Sequence, residues 1–268
     1  MAKKIDGQKI AEKIKDDLVK QIASFSKTRP NLAIILVGDR EDSELYVKLK
    51  EKEAKKVGID THTYKIEKDV DEAELIKVIE FLNQDNLIDG ILVQLPLPEK
   101  FSTEKIINAI DKRKDVDGFR LDHPDYIISP VMAAIGASLE EIGLDENYKT
   151  VCVLYNSEIF GQEAKKVLEN FNLKILDKKD LKKADVVVTA KGKPKYLKKD
   201  MLKKGVVVID IGITKLEKKV YGDCDFSDLE DHASYITPVP GGIGPMTIAF
   251  LFKNVLEIHR RRNNQRSK

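Results

Sequence analysis

Apolar positions follow two rhythms along this chain. Between residues 5 and 26, Ile5, Ile10, Ile14, Leu18, Ile22 and Phe25 recur at helical spacing among lysines and acids, which predicts an amphipathic helix. Residues 31–37 (NLAIILV) are then almost wholly apolar between Pro30 and Gly38, as expected of a parallel strand covered on both faces. Ser43 is a candidate N-cap for a second helix, which Gly58 closes after Val57. Residues 61–66 alternate like a strand and 71–83 have helical periodicity. A second buried-strand run, 90–95 (GILVQL), is closed by Pro96 and Pro98, and 103–110 is a short helix. This alternating order predicts an α/β unit with right-handed crossovers.

The second half repeats the pattern. Strands are predicted at 150–155 (TVCVLY), 173–176, 185–190 (DVVVTA), 205–209 (GVVVI) and 235–237, and helices at 131–142, 162–171 and 243–262. The strand, helix and strand that begin near Thr150 read as a Rossmann-like unit. The expected organisation is two α/β domains, 1–130 plus 245–268 and 131–244, with the C-terminal helix returning to the first. The boundary falls between Phe119 and Asn147, where no Gly/Ser linker occurs and the hinge is itself helical.

A length of 268 residues fits two domains at about 150 residues each. Composition mainly excludes. Lys and Arg number 47 against 45 acids, a net charge of +2, which gives no global electrostatic case for nucleic acid or an anionic membrane. No apolar run approaches the ~20 residues of a membrane span. Residues 1–6 turn amphipathic at once, without a signal-peptide core, so the expected location is cytoplasmic. Cys152 and Cys224 are too few for a disulfide scaffold, and no Cys/His spacing suggests a metal site. His62, His123, His232 and His259 lack sequence partners at ligand or triad spacing and read as structural.

Candidate chemistry lies in four segments. The first runs from Val37-Gly38-Asp39-Arg40 through Ser43-x-x-Tyr46-Val47-x-x-Lys50 to Val57-Gly58. The second is 89–98 (DGILVQLPLP), the third 114–119 (KDVDGF), and the fourth 236–247 (ITPVPGGIGPMT). Taken singly each has an ordinary explanation. A Tyr/Lys pair four residues apart is usually a solvated helix face, Asp-Gly is usually a turn, and VQLPLP can be a strand with a kinked exit. Together, in this order, they resemble the methylenetetrahydrofolate dehydrogenase/cyclohydrolase family. The resemblance runs from about residue 5 to 258 and is thinnest between 121 and 200.

The resemblance implies a folate site in a cleft between the two domains, with tetrahydrofolate derivatives as substrates. Tyr46 and Lys50 would share one side of a helix. By resemblance Tyr46 stacks on the pterin or aminobenzoate ring, Lys50 is the catalytic lysine, Gln94 bonds that lysine, and Asp117 holds the pterin N–H groups. A lysine of pKa ~10.4 is a poor base at neutral pH, and burial beside an apolar ring would lower it. A neutral amide partner suits that task, because a carboxylate would raise the pKa instead. The turn Pro240-Gly241-Gly242 would let backbone approach the substrate closely.

The nucleotide loop departs from the family pattern Gly-Arg-Ser-x-x-Val-Gly-x-Pro. Here 155–163 reads YNSEIFGQE, so Ser157 and Gly161 survive while Tyr155, Asn156 and Glu163 replace the glycine, arginine and proline. Asn156 cannot supply the arginine's charge to the 2′-phosphate of NADP. Glu158 and Glu163 add negative charge where a pyrophosphate meets a helix N-terminus. Asp177, about 20 residues beyond the turn, stands where an acid can bond the ribose of NAD, or it simply caps the turn that follows. The lysines of 178–183 are a solvated face or a phosphate grip. Ser157, Gly161, Asp177 and Ile213 are the candidate cofactor residues, with NADP or NAD as the cofactor.

Three functions follow from this sequence. The first is oxidation of 5,10-methylenetetrahydrofolate with NAD(P), then hydrolysis of the methenyl product to 10-formyltetrahydrofolate. The second is the cyclohydrolase step alone, and the third is a non-catalytic folate-binding scaffold. The resemblance also implies a homodimer through the Rossmann-like domain.

Overall fold

The computed structural model describes residues 1–25, 28–120, 126–144, 148–217 and 219–266. Its elements in chain order are β1 (Lys3–Lys4), α1 (Gly7–Ala23), β2 (Asn31–Val37), α2 (Glu41–Val57), β3 (Asp60–Ile66), α3 (Glu72–Gln84), β4 (Gly90–Val93) and α4 (Thr103–Ala109). There follow α5 (Pro130–Ile142), β5 (Thr150–Tyr155), α6 (Glu158–Glu169), β6 (Lys174–Leu176), β7 (Val186–Ala190), β8 (Val207–Asp210), β9 (Thr214–Leu216), β10 (Lys219–Tyr221), α7 (Phe226–Leu229), β11 (Tyr235–Ile236) and α8 (Ile243–Arg266). Two 3₁₀ turns cover Lys178–Lys183 and Lys199–Met201. The chain divides into two units, one of residues 13–130 with 248–268 and the other of 1–12 with 131–247.

The first unit is built on a parallel sheet in the order β3-β2-β4. The central strand β2 shows why its sequence is apolar throughout. Leu32, Ile34 and Leu36 join one core with Leu18 and Ile22 of α1, Val47 and Ala54 of α2, and Phe252 and Val255 of α8. Ala33, Ile35 and Val37 join a second core with Leu75, Ile79 and Leu82 of α3 and Ile106 of α4. A strand covered on both faces has no position for a polar side chain. The first core also shows α8 returning to pack with α1.

The start of α2 differs from the expected one. Ser43 lies inside the helix, which begins at Glu41 after Arg40. Glu41, Asp42 and Glu44 set negative charge against the positive end of the helix dipole, and Asp42 accepts the Ser43 N–H at 2.9 Å. The Ser43 hydroxyl is buried, without a hydrogen-bond partner among the described residues. The other end is as predicted: Gly58, at φ +87°, closes α2.

The second unit carries a parallel sheet in the order β1-β11-β8-β7-β5-β6, with β9 and β10 as a separate antiparallel hairpin. Residues 1–12, expected in the first domain, belong here because β1 pairs with β11, Lys3 beside Tyr235 and Lys4 beside Ile236. A two-residue strand of lysines has no apolar signal to read. Helix α6 starts at Glu158, four residues before the predicted Gln162, since Ser157 caps it by accepting the Phe160 N–H at 3.4 Å. No described helix is long and apolar enough to cross a membrane. His123 and Asn147, two positions used in the sequence analysis, lie outside the described residues.

Burial on both faces of β2 has a direct consequence. Ile34→Ala and Ile35→Ala are expected to cost similar amounts, about 2–5 kcal/mol each, in urea unfolding. A cost below about 1 kcal/mol for either would show that its side of the sheet is not a packed core.

Candidate active site

The end of β4 fixes the first site residue. Its ladder with β2 pairs Ile35 with Val93, and Gln94 N–H extends the pairing by donating to the Ile35 carbonyl at 2.9 Å. Gln94 Nε2 donates to its neighbour's carbonyl, that of Leu95, at 2.7 Å. That bond turns the amide oxygen outward, where it accepts Lys50 Nζ at 2.9 Å. Lys50 lies near the middle of α2, and burial pushes its pKa below the ordinary lysine value while the charge of Asp117 pulls it back up. Tyr46 lies one turn earlier on α2 and is 39% exposed, and burial of the rest of the ring raises its phenol pKa.

The 115–120 loop holds Asp117. The buried carboxylate of Asp115 accepts backbone N–H groups from Asp117 at 3.1 Å, Gly118 at 3.0 Å and Arg120 at 2.9 Å. Burial nonetheless raises the Asp115 pKa. Gly118 has φ +71°, and a Cβ there would stand 2.2 Å from the Ile127 carbonyl oxygen, so only glycine fits. Asn254 of α8 ties these segments together, donating Nδ2 to the Val116 carbonyl at 2.9 Å and to the Ile128 carbonyl at 3.0 Å. On the other side, buried Lys114 donates to the Leu82 and Asp85 carbonyls at 2.7 and 2.6 Å, and burial lowers its pKa to about 8.

The structure therefore brings Lys50, Gln94 and Asp117 together, with Tyr46 beside them on α2. Sequence reasoning missed the residues that hold them. Asn254 was visible as an amide beside Lys253 in the otherwise apolar stretch 250–256, and Asp115 as an acid three residues before a glycine. Neither pattern is specific by itself.

The remaining candidates lie in the second unit. Gly241, at φ +106°, accepts the Gln8 N–H on its carbonyl at 3.1 Å. A Cβ on Gly7 would meet the Gly242 oxygen at 1.8 Å, so the 240–242 turn is pressed onto the start of α1. Gly161 lies inside α6 beneath the Tyr155 ring, where a Cβ would approach Cζ to 2.4 Å. Lys178 Nζ stands 4.0 Å from that ring's centroid and Lys165 Nζ 5.9 Å. Asp177 accepts the Lys179 N–H at 3.2 Å and caps the 3₁₀ turn, and Asn156 donates to the Lys191 carbonyl. Ile213 is exposed between β8 and β9.

His259 does have a partner that its sequence position concealed. Its Nδ1 lies 2.9 Å from Asp89, which also accepts Arg262 at 3.0 Å and the Asn31 N–H at 2.9 Å. His62 meets the Asn31 side chain and His232 the Leu202 carbonyl. Cys152 is buried, with its pKa pushed up to about 11, and burial drives Cys224 well above the usual thiol range. Among the described residues no group of three or more His, Cys, Asp or Glu could hold a metal ion.

Comparison with known proteins decides the family. The model of the tetrahydrofolate dehydrogenase/cyclohydrolase catalytic domain matches residues 5–117, and that of the family's NAD(P)-binding domain matches 129–263. The chain belongs to the tetrahydrofolate dehydrogenase/cyclohydrolase family. The bifunctional protein FolD of Nautilia profundicola is 42% identical, the match covering 94% of this chain and 95% of the relative. Among solved structures, the bifunctional FolD of Campylobacter jejuni has a TM-score of 0.92 at 33% identity, covering 98% of this chain and all of the other. The Trypanosoma brucei dehydrogenase-cyclohydrolase, solved with NADP and an inhibitor, has a TM-score of 0.89 at 29% identity, covering 97% and 98%. Residues 131–247 of the second unit fall within the family's NAD(P)-binding domain, whose match continues to residue 263 in the first unit, and the first unit carries most of the catalytic domain.

The two carbonyls held by Asn254 would lose their donor in Asn254→Ala. That change is expected to cost about 1–3 kcal/mol and to speed hydrogen exchange at the amides of 117–120 selectively. Unchanged exchange there would show that Asn254 does not restrain the Asp117 loop.

Proposed function

We propose that this protein is a bifunctional enzyme of one-carbon metabolism. It oxidises 5,10-methylenetetrahydrofolate to the 5,10-methenyl form with NAD(P), then hydrolyses that cation to 10-formyltetrahydrofolate. The observation that carries this is the Lys50–Gln94 hydrogen bond, which aims a partly desolvated amine with a lowered pKa. Several of its relatives are named as bifunctional FolD proteins, which supports this reading.

Hydrolysis follows from the amine. In its neutral form Lys50 donates one N–H to Gln94 Oε1, which orients its lone pair. Water attacks the electron-poor methenyl carbon while Lys50 Nζ takes a proton from that water. The carbon ends on N10 as a formyl group, so the bond to N5 must break: Lys50 returns its proton to N5 as it leaves, and the remaining hydroxyl proton is released to water as the C=O forms, one proton net per turnover. A lowered pKa makes both transfers possible near neutrality. Tyr46 supplies a flat ring surface for the pterin or aminobenzoate, and Asp117 accepts from the pterin amino and ring N–H groups. Pro240, Gly241 and Gly242 offer backbone with no side chain in the way.

The dehydrogenase half needs the dinucleotide, whose nicotinamide accepts the hydride when bound. The donor set of the second unit fits such a group: Ser157 opens α6 at the sheet's C-terminal edge, and Lys178 and Lys165 bring positive charge to Tyr155 beside it. Gly161 and Ile213 complete the residues assigned to this site, with Asp177 next to the ribose. Family resemblance also supports a homodimer through this unit, which a sedimentation measurement at micromolar concentration tests directly. A cyclohydrolase-only protein is the second reading, favoured by the loss of the loop arginine at Asn156.

Lys50→Met is expected to reduce methenyl hydrolysis by at least about 100-fold while folate still binds. Retained hydrolysis would refute the role given to Lys50. Gln94→Glu would place a carboxylate against the amine and favour its charged form. The rising limb of the rate–pH profile should therefore move to higher pH, and a shift to lower pH would contradict the general-base assignment.

A further inference from the structure

Helix α2 presents lysines to two sides. Lys50 reaches Gln94, whereas Lys48 and Lys52 stand about 160° around the helix from it and Lys55 about 140°. That far side borders a cavity of about 680 Å³ between α2 and the starts of β2 and β3. Lys48, Lys52 and Lys55 line it from the helix, Arg29 from the segment before β2, and His62 from β3. Ile59 is the only apolar side chain of the lining. A cavity of this size suits a small molecule, and charged walls call for a charged one.

A row of lysines on a helix is ordinarily a solvated face. Here the row is met by cations from two other segments, and the charge is not balanced. Four cationic side chains stand against two carboxylates, Glu51 and Asp60, and Glu51 already accepts the Thr63 hydroxyl. Among the described residues no ion pair engages Arg29, Lys48, Lys52 or Lys55. Asn31 donates Nδ2 to the Arg29 carbonyl at 3.0 Å, which leaves its Oδ1 to accept from His62 Nε2 at 3.1 Å. Like charges gathered in this way repel one another, and an anion between them relieves the repulsion. From Lys48 to Lys55 the helix advances about 10 Å, so one compact anion meets part of the row and phosphates in series meet all of it. The Arg29 fork and the lysine point charges both suit phosphate oxygens. We infer that this cavity binds a small molecule carrying two or more phosphate groups, at a site apart from that of Lys50 and Gln94. All of its walls belong to the first unit, so the site does not depend on the dinucleotide domain.

Calorimetric titration of the full chain with inorganic tripolyphosphate tests this, together with mass-spectrometric mapping of lysine acetylation. Saturable binding is expected, with Lys48, Lys52 and Lys55 protected from acetylation and affinity falling as salt is added. The double variant Arg29→Gln/Lys55→Gln, altered at two exposed positions, should lose about tenfold or more in affinity. Its urea midpoint and its methenyl hydrolysis should match the wild type. Titrations with ATP and with fructose 1,6-bisphosphate, each read as the binding that the double variant loses, distinguish a nucleotide from a sugar phosphate as the source. No saturable binding, equal affinity in variant and wild type, or protection confined to lysines of the second unit overturns the assignment.

Discussion

A half-buried amine with a lowered pKa, hydrogen-bonded to a neutral amide, constrains the whole first unit. Desolvation lowers the Lys50 pKa, but a charged acceptor would undo that shift, so its partner has to be a neutral group with a fixed orientation. The Gln94 amide meets this need only because its other end is tied to the Leu95 carbonyl. Gln94 in turn is positioned by the last ladder bond between β2 and β4. Slipping that register by one residue would invert every side chain of the strand. The apolar packing on both faces of β2 is what resists such a slip, so the core of the sheet and the direction of one hydrogen bond are the same constraint.

The position of Asp117 is the second half of this balance. Its charge raises the Lys50 pKa against the effect of burial, so the balance depends on how far the carboxylate stands from the amine. That calls for a loop held to a narrow range of positions. Asp115 gathers three backbone N–H groups of the loop, and Asn254 fixes its carbonyl side to α8. Further along, α8 is fastened again where Asp89 gathers His259, Arg262 and the Asn31 N–H. The helix is therefore tied both to the start of β2 and to the Asp117 loop.

What the sequence made legible follows from which physical signals are local. The both-face burial of β2 shows directly as seven residues without a charge, and the Gly58 stop of α2 as a glycine needing positive φ. Lys50, Gln94 and Asp117 were found through motifs spaced along the chain, although what brings them together is tertiary. The starts of α2 and α6 were misplaced for opposite reasons. Ser43 looks like a cap but lies one turn inside a helix opened by acids, whereas Ser157 is a cap that a following glycine concealed. Gly161 reads as a helix breaker, and only the Tyr155 ring above it explains why a glycine belongs there. The β1 strand and the contact of His259 with Asp89 join residues more than 150 positions apart, and no periodicity reports such pairs.

The uneven match to the family pattern has the same origin. The Lys50–Gln94 contact depends on bond directions, which few side chains can reproduce, so the motifs of the first unit stay recognisable residue by residue. Holding a phosphate depends mainly on placing positive charge within a few ångströms of it, and the end of any neighbouring strand can supply that charge. In this chain the loop carries Asn156 and Tyr155 where the family pattern has arginine and glycine, and Lys178 from beyond β6 stands over the Tyr155 ring. Directional chemistry preserves sequence, whereas electrostatic anchoring preserves only position.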